Sequence, residues 1–445
     1  MTAAPLFGTH RDDQRPDFGP GDVEALADDL LALLGPRGVS SLPRAIARAS
    51  RDGSGMSPIL SAQDLGSPDL VCYPRSPQAI APIVRAAVRR GVPVTTRGKG
   101  TGNYGQVVPR FGGLVMDMTS LTAIESIDDH AITALAGARM ITLEQYAWDR
   151  GKQLWMYPST VQSTLGGFLA GGSAGTGTVV HGRNHEGFVE ALDVVYATED
   201  AELVHLEGED AQPMVHTYGV AGVIVGARVR VEPLQDWRSL YVSFADHHDA
   251  FLAALDLATV DPAPRLLSAD HAEVVDALPS DPALVRGRAS VRGIIDGRCV
   301  DEVCDRLAAA AGGRVEAIRE GIVQTVKLST LSYNHPTWWL QKAHPDTYFH
   351  MECAGDALVT ALDEVERVYP GGMVHLEMGH QMMFGMLNGV YRDPEQVAAG
   401  ISELEALGVA VHSPHQWYVD RDAERVKSIA ALTDPQGLLN PGRWM

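Results

Sequence analysis

The stretch TTRGKGTGNYGQ (95–106) decides the fold. Gly100, Gly102 and Gly105 spell G-x-G-x-x-G, the spacing of a dinucleotide-binding turn. In a Rossmann unit a helix follows those glycines at once, and its N-terminus holds the pyrophosphate. Here QVVPRFGGLVMDM (106–118) follows, and Pro109, Gly112 and Gly113 all oppose a helix. The next regular element reads as a strand, with Asp117 on it. A NAD-binding Rossmann fold is therefore set aside, but the physics of the loop remains. Gly98, Gly100, Gly102 and Gly105 interleave with Lys99, Thr101 and Asn103. Such a run turns several backbone N–H groups toward one point, an anion nest. Without Cβ atoms a phosphate can come close, and Arg97 and Lys99 add positive charge.

Upstream, DLVCYP (69–74) reads as a strand, SPQAIAPIVRAAVRRG (76–91) as a helix capped by Ser76, and VPVTTRG (92–98) as a second strand. The glycine loop thus closes a β-α-β unit. Downstream, 112–121 and 131–140 read as strands, 141–151 as a helix, and 190–206 as a hairpin turning at Glu199-Asp200. A second glycine run, STLGGFLAGGSAGTGTVVHG, spans 163–182. Two such runs in one module argue for one large phosphate-bearing cofactor. The segmentation expected is 1–68 as an N-terminal segment and helix, 69–235 as the cofactor-binding domain, 236–420 as a cap over the substrate, and 421–445 as a returning C-terminal segment. No internal repeat is legible.

The chain has 445 residues, enough for about two or three domains. With 45% hydrophobic and 21% charged residues it reads as globular, and its net charge of −20 argues against nucleic acid or an anionic membrane as partner. The four cysteines form no C-x-x-C pair, which fits a reducing, cytoplasmic setting. Cys299 and Cys304 are expected as buried side chains of one helix. The first residues carry no apolar signal core, and no apolar run approaches the length of a membrane span.

RGKGTGNYGQVVPRFGGLVMDM, YPSTVQSTLGGFLAGGSAG, YGVAGVIVGARVRVEP and DPQGLLNPGRW occur in that order. Together they resemble the vanillyl-alcohol oxidase/p-cresol methylhydroxylase family of FAD-binding flavoproteins, in the branch of FAD-linked oxidases with glycolate oxidase and D-lactate dehydrogenase. The resemblance implies an α+β fold: an FAD domain of two α+β subdomains and an α+β, ferredoxin-like cap. It implies that Arg97, Gly98, Lys99, Gly100, Thr101, Gly102, Asn103, Tyr104 and Gly105 hold the pyrophosphate. Ser159, Thr160, Gly166, Gly167, Gly172, Ser173, Ala174 and Gly175 would line the flavin and its ribityl chain. Val223 and Val225 would meet the adenosine end through their backbone, and Asn440 would approach the flavin ring.

Where many members carry a histidine bonded to the flavin, this chain has Thr101, so a non-covalent FAD is expected. The metal-binding segment of the hydroxy-acid branch is replaced by VHLEMGHQMM (374–383); His375, Glu377 and His380 are its only ligand-type residues, and whether they take a metal stays open. The branch's Glu-His-Gly appears as SPHQWY (413–418), where His415 matches the histidine. Candidate catalytic groups are His335, His415 and Tyr333, histidine being the usual proton acceptor near neutral pH. Trp338 and Trp339 suit either a substrate platform or plain packing.

The leading functional expectation is an FAD-dependent oxidoreductase acting on an alcohol, 2-hydroxy acid or related C–H donor. An O2-using oxidase of a bulky or aromatic substrate, or a non-catalytic FAD-binding subunit of a larger dehydrogenase, are the alternatives. Electron acceptor (O2 or another), substrate and any homo-oligomer remain open.

Overall fold

The computed structural model describes residues 21–61, 65–310, 312–412, 418–419 and 421–444. Three sheets organise the described residues. The first comprises β1 (Val39–Ser40), β2 (Leu70–Cys72), β3 (Val94–Arg97) and β4 (Leu114–Asp117), in the order β1-β2-β4-β3. β4 pairs in parallel with both β2 and β3, so the expected β-α-β unit forms and the glycine loop leaves its carboxyl end. The crossover helix Ile80–Arg89 buries Ile80, Ile83, Val84, Ala87 and Val88 on one face. Ser76 makes no capping hydrogen bond, and a 3-10 turn at Pro77–Ala79 precedes the helix instead. Gly91, at φ +62°, ends it.

The second sheet is antiparallel. It holds β5 (Ile124–Ile127), β6 (Ala131–Leu135), β7 (Lys152–Leu154), β8 (Val189–Val195), β9 (Leu203–Glu207) and the long β10 (Val223–Pro233), in the order β5-β6-β10-β8-β9 with β7 on the far end of β10. The strands read at 112–121 and 131–140 stop early, at Asp117 and Leu135. Between them the chain must pass close to Gly137, where a Cβ would lie 2.1 Å from the Met118 carbonyl. Both sheets share one apolar core.

The third sheet has eight strands: β11 (Trp237–Phe244), β12 (Leu266–Asp270), β13 (Ala289–Asp296), β14 (Arg314–Glu320), β15 (Tyr348–Ala354), β16 (Met373–Met378), β17 (Met383–Val390) and β18 (Ala410–His412). Their order, β14-β11-β13-β12-β16-β17-β15-β18, resolves into two βαββαβ halves. Each has the strand order 4-1-3-2 of a ferredoxin-like unit, and they abut through their second strands. The repeat is one of topology, which is why the sequence does not display it. The connection between the halves, Gly321–Thr347, carries helices Ile322–Ser329 and Asn334–Ala343 back toward the glycine loops. Cys299 is buried at the end of a 3-10 turn, whereas Cys304, on the following helix, is half-buried.

After helix Ala423–Thr433 the tail turns at Asp434–Gly437 and lays Leu439 beside Val94 of β3. No helix among the described residues is long and apolar enough to cross a membrane.

Candidate active site

The carboxyl end of β3, both glycine runs and the connection between the cap halves close around one cavity of about 560 Å³. That volume is in the range of small-molecule and cofactor sites.

Arg97 ends β3 with its side chain buried. Nη2 donates to the Arg51 carbonyl at 2.6 Å, and the guanidinium occupies the space beside Gly100, at φ +63°, that a Cβ would fill. Asp52 and Gly53 tie the same loop down: Gly105 N donates to Asp52 Oδ2 at 2.9 Å, and Gly53 N to the Gly102 carbonyl at 2.7 Å. Every residue from 97 to 104 lines the cavity; Gly105, spent on Asp52, does not. Lys99 is exposed at the rim.

From the second run, Ser159, Thr160, Gly166, Gly167 and Gly172 to Ala174 line the opposite wall. Thr164 caps helix Leu165–Gly171 by accepting from Gly167 N at 3.2 Å, and its hydroxyl lies where a Cβ on Gly98 would be. The two glycine runs are thus packed on each other. Gly175 lies behind the wall, its carbonyl accepting from the Tyr333 hydroxyl at 2.5 Å. The side chains of Val223 and Val225 face the core, and the alternating neighbours Gly222 and Ile224 line the cavity. Asn440 is buried and does not line the cavity. Its amide donates to the Gln106 and Tyr218 carbonyls, at 3.0 and 2.7 Å, and accepts from Arg443, so it fastens the tail to the glycine loop.

The cap contributes Tyr333, Asn334, His335, Trp338, Trp339 and Glu352. Asn334 Nδ2 donates to the Tyr104 hydroxyl at 3.0 Å, joining cap to loop. Tyr333 is held at φ +55°, with its backbone N–H on Glu377 Oε1 at 2.5 Å. Burial, with the Glu377 charge, pushes its phenol well above the ordinary value, so it stands as a neutral donor. His335 is half-buried, and its Nδ1 is buried with no hydrogen-bond partner. Burial lowers its pKa to about 4. Trp338 and Trp339 meet edge to face, 4.9 Å between centroids, with the Lys342 ammonium over both rings. His415 lies outside the described residues.

Behind Tyr333 runs a fully buried polar chain. Arg292 pairs with Asp270, Asp270 Oδ1 meets His375 Nδ1 at 2.8 Å, and His375 Nε2 meets Glu377 Oε1 at 2.8 Å. Burial alone would lower the His375 pKa, but the Asp270 carboxylate and the bonds to both acids outweigh it and raise the pKa to about 9. Both ring nitrogens are engaged, and His380 turns away to the Val179 carbonyl. His375, Glu377 and His380 therefore do not converge on one point.

Sequence reasoning missed the segment His216–Gly219 and residues Gln106, Glu352 and His412, all of which line the cavity. The only local signal was Gly219, at φ +72°.

The donors present fit a dinucleotide. Arg97 Nη1, Gln106 Nε2 and Ser163 Oγ are buried, lie on cavity-lining residues and lack partners. Buried donors of this kind call for an acceptor.

A family model described as an FAD binding domain matches residues 68–207. A D-lactate dehydrogenase of Archaeoglobus fulgidus is 25% identical over 200 residues, 42% of this chain and 44% of that protein. Glycolate oxidase subunit GlcD of Bacillus subtilis is 28% identical over 195 residues, 41% of each chain. The match spans under half the length of these curated relatives. A solved alkyldihydroxyacetonephosphate synthase, 16% identical, superposes with a TM-score of 0.73 over 97% of this chain and 88% of its own, which shows a shared fold. Residues 68–207 thus carry an FAD-binding domain, and FAD is the cofactor.

Proposed function

We propose that this chain is an FAD-dependent oxidoreductase that takes a hydride from an alcohol, a 2-hydroxy acid or a related C–H donor, with the FAD held non-covalently. The observation that carries the reading is the single cavity shared by both glycine runs and the cap segment Tyr333–Trp339. FAD, when bound, supplies the hydride acceptor. Arg97 and the backbone of 98–104 would hold the pyrophosphate, and Ser159, Thr160, Ser163 and the 166–174 run the flavin and ribityl portions. Thr101 offers no nitrogen for a covalent link.

A ring nitrogen of His335, which lines the cavity from the cap, accepts the substrate's hydroxyl proton. The lowered pKa keeps this nitrogen unprotonated across the neutral range. Trp338 and Trp339 flank the substrate and exclude water. That aromatic wall favours a bulky or aromatic substrate, with O2 or another acceptor reoxidising the cofactor.

The test is direct. The purified chain should be yellow, and acid precipitation should release the colour to the supernatant. Anaerobic addition of alcohols and 2-hydroxy acids, aromatic ones included, should then bleach the bound flavin. A colourless protein that takes up no added FAD overturns the reading; flavin that no donor bleaches favours a non-catalytic subunit.

A further inference from the structure

We propose that the cap binds a divalent transition-metal ion of the zinc class on His247, His271 and Glu366, and that this ion clips its two ferredoxin-like halves together. The halves share one apolar core, but the strand pairing across the seam between them is short. β12 and β16 share two register pairs, Ser268 with Glu377 and Ala269 with Leu376, whereas β11 and β13 share eight. On the helix-covered side of that seam three elements converge. His247 opens helix His247–Leu257, and His271 directly follows β12, both in the first half. Glu366 comes from helix Leu362–Arg367 in the second.

One ligand atom from each of the three lies within 4.8 Å of the other two. His271 Nε2 is 2.6 Å from Glu366 Oε1. His247 Nε2 is 3.6 Å from Glu366 Oε2, too far for a hydrogen bond, and is buried without a partner. The two imidazoles stack at 3.8 Å, which brings their nitrogens to the same carboxylate. Glu366 Oε1 also accepts from Val374 N at 2.9 Å, an outer contact of the kind that orients a metal-binding carboxylate. His248, beside the site, bonds Asp363 across the same seam at 2.9 Å. Two imidazoles and one carboxylate are a zinc ligand set, with a fourth position left for water. None of the three residues lines the FAD cavity, so the site is separate from the redox centre.

The experiment is calorimetric titration of the EDTA-treated, FAD-loaded full chain with zinc chloride, with thermal melts in parallel. One equivalent should bind at micromolar or lower concentration and raise the melting temperature, since the ion binds the folded state alone. The flavin spectrum should not change. His247→Ala and Glu366→Gln should each weaken binding by about a hundredfold or more. His205→Ala, which removes an exposed histidine between Asp193 and Glu207, should leave it intact. Absence of a bound equivalent, its retention in His247→Ala, or its loss in His205→Ala would each overturn the proposal. The His247 ring is a quarter exposed but packs edge-on against Phe251, so an unchanged flavin spectrum in His247→Ala is the check that the variant folds.

Discussion

The hydroxyl of Tyr333 donates a 2.5 Å hydrogen bond to the carbonyl of Gly175, so the cap is fastened to the second glycine run at the back wall of the cavity. The same carbonyl accepts from Thr178 N at 3.0 Å. The phenol therefore shares its acceptor and helps to hold the wall.

Tyr333→Phe should lower stability by about 0.5–1.5 kcal/mol, the net worth of one hydrogen bond. It should retain FAD and lose less than about tenfold in kcat, below the usual contribution of an acid–base group. Thermal melts and steady-state kinetics check both. A loss of a hundredfold or more in kcat would make Tyr333 a proton-transfer group.

His335→Ala should lower kcat by about a hundredfold to ten-thousandfold while FAD affinity holds. With burial lowering the His335 pKa to about 4, the acid limb of the wild-type kcat/KM profile should fall near pH 4 and be absent in the variant. An acid limb unchanged by the substitution would remove His335 from the role.

Gly175→Ala and Gly98→Ala should differ. At Gly175 a Cβ would sit 2.1 Å from the Tyr157 carbonyl oxygen, a backbone atom that cannot step aside. The expected cost is about 1–3 kcal/mol, with weakened FAD retention. At Gly98 the obstacle is the Thr164 hydroxyl, likewise 2.1 Å away, which can rotate at the expense of the cap it provides to helix Leu165–Gly171. That cost should stay near 1 kcal/mol. Denaturant melts decide the order.

His375→Gln should destabilise by about 3–5 kcal/mol at pH 6.5, because Glu377 would be left buried without its cation and Asp270 would keep only Arg292. The folded pKa near 9 lies above the unfolded value of about 6.5. The stabilisation is therefore full below about pH 6.5 and is lost as pH rises through about 9. Melts of both proteins at pH 6.5, 8 and 9.5 should show the gap closing with rising pH.

Much of the FAD half was legible in the primary structure. Pro109, Gly112 and Gly113 forbid a helix after the first glycine run, and that local rule alone separates this fold from a Rossmann unit. The alternation of Gly98, Gly100 and Gly102 with polar residues marked a loop that lines the cavity, because backbone freedom is a property of the residue itself. The surroundings of Val223, Val225 and Asn440 were not legible there. Which side of β10 meets the cavity, and what an asparagine amide bonds, depend on packing partners: Gly222 and Ile224 for the strand, Gln106 and Tyr218 for Asn440.

The cap belongs almost wholly to tertiary structure. Its two halves repeat a strand order, a relationship between partners distant in the chain that no residue pattern carries. Asp270 and His375 are 105 positions apart, and His271 and Glu366 are 95. Sequence by itself determined where the backbone could turn and where it could approach a ligand closely. Only folding decided which buried charges face each other, because ion pairing and desolvation act between neighbours in space.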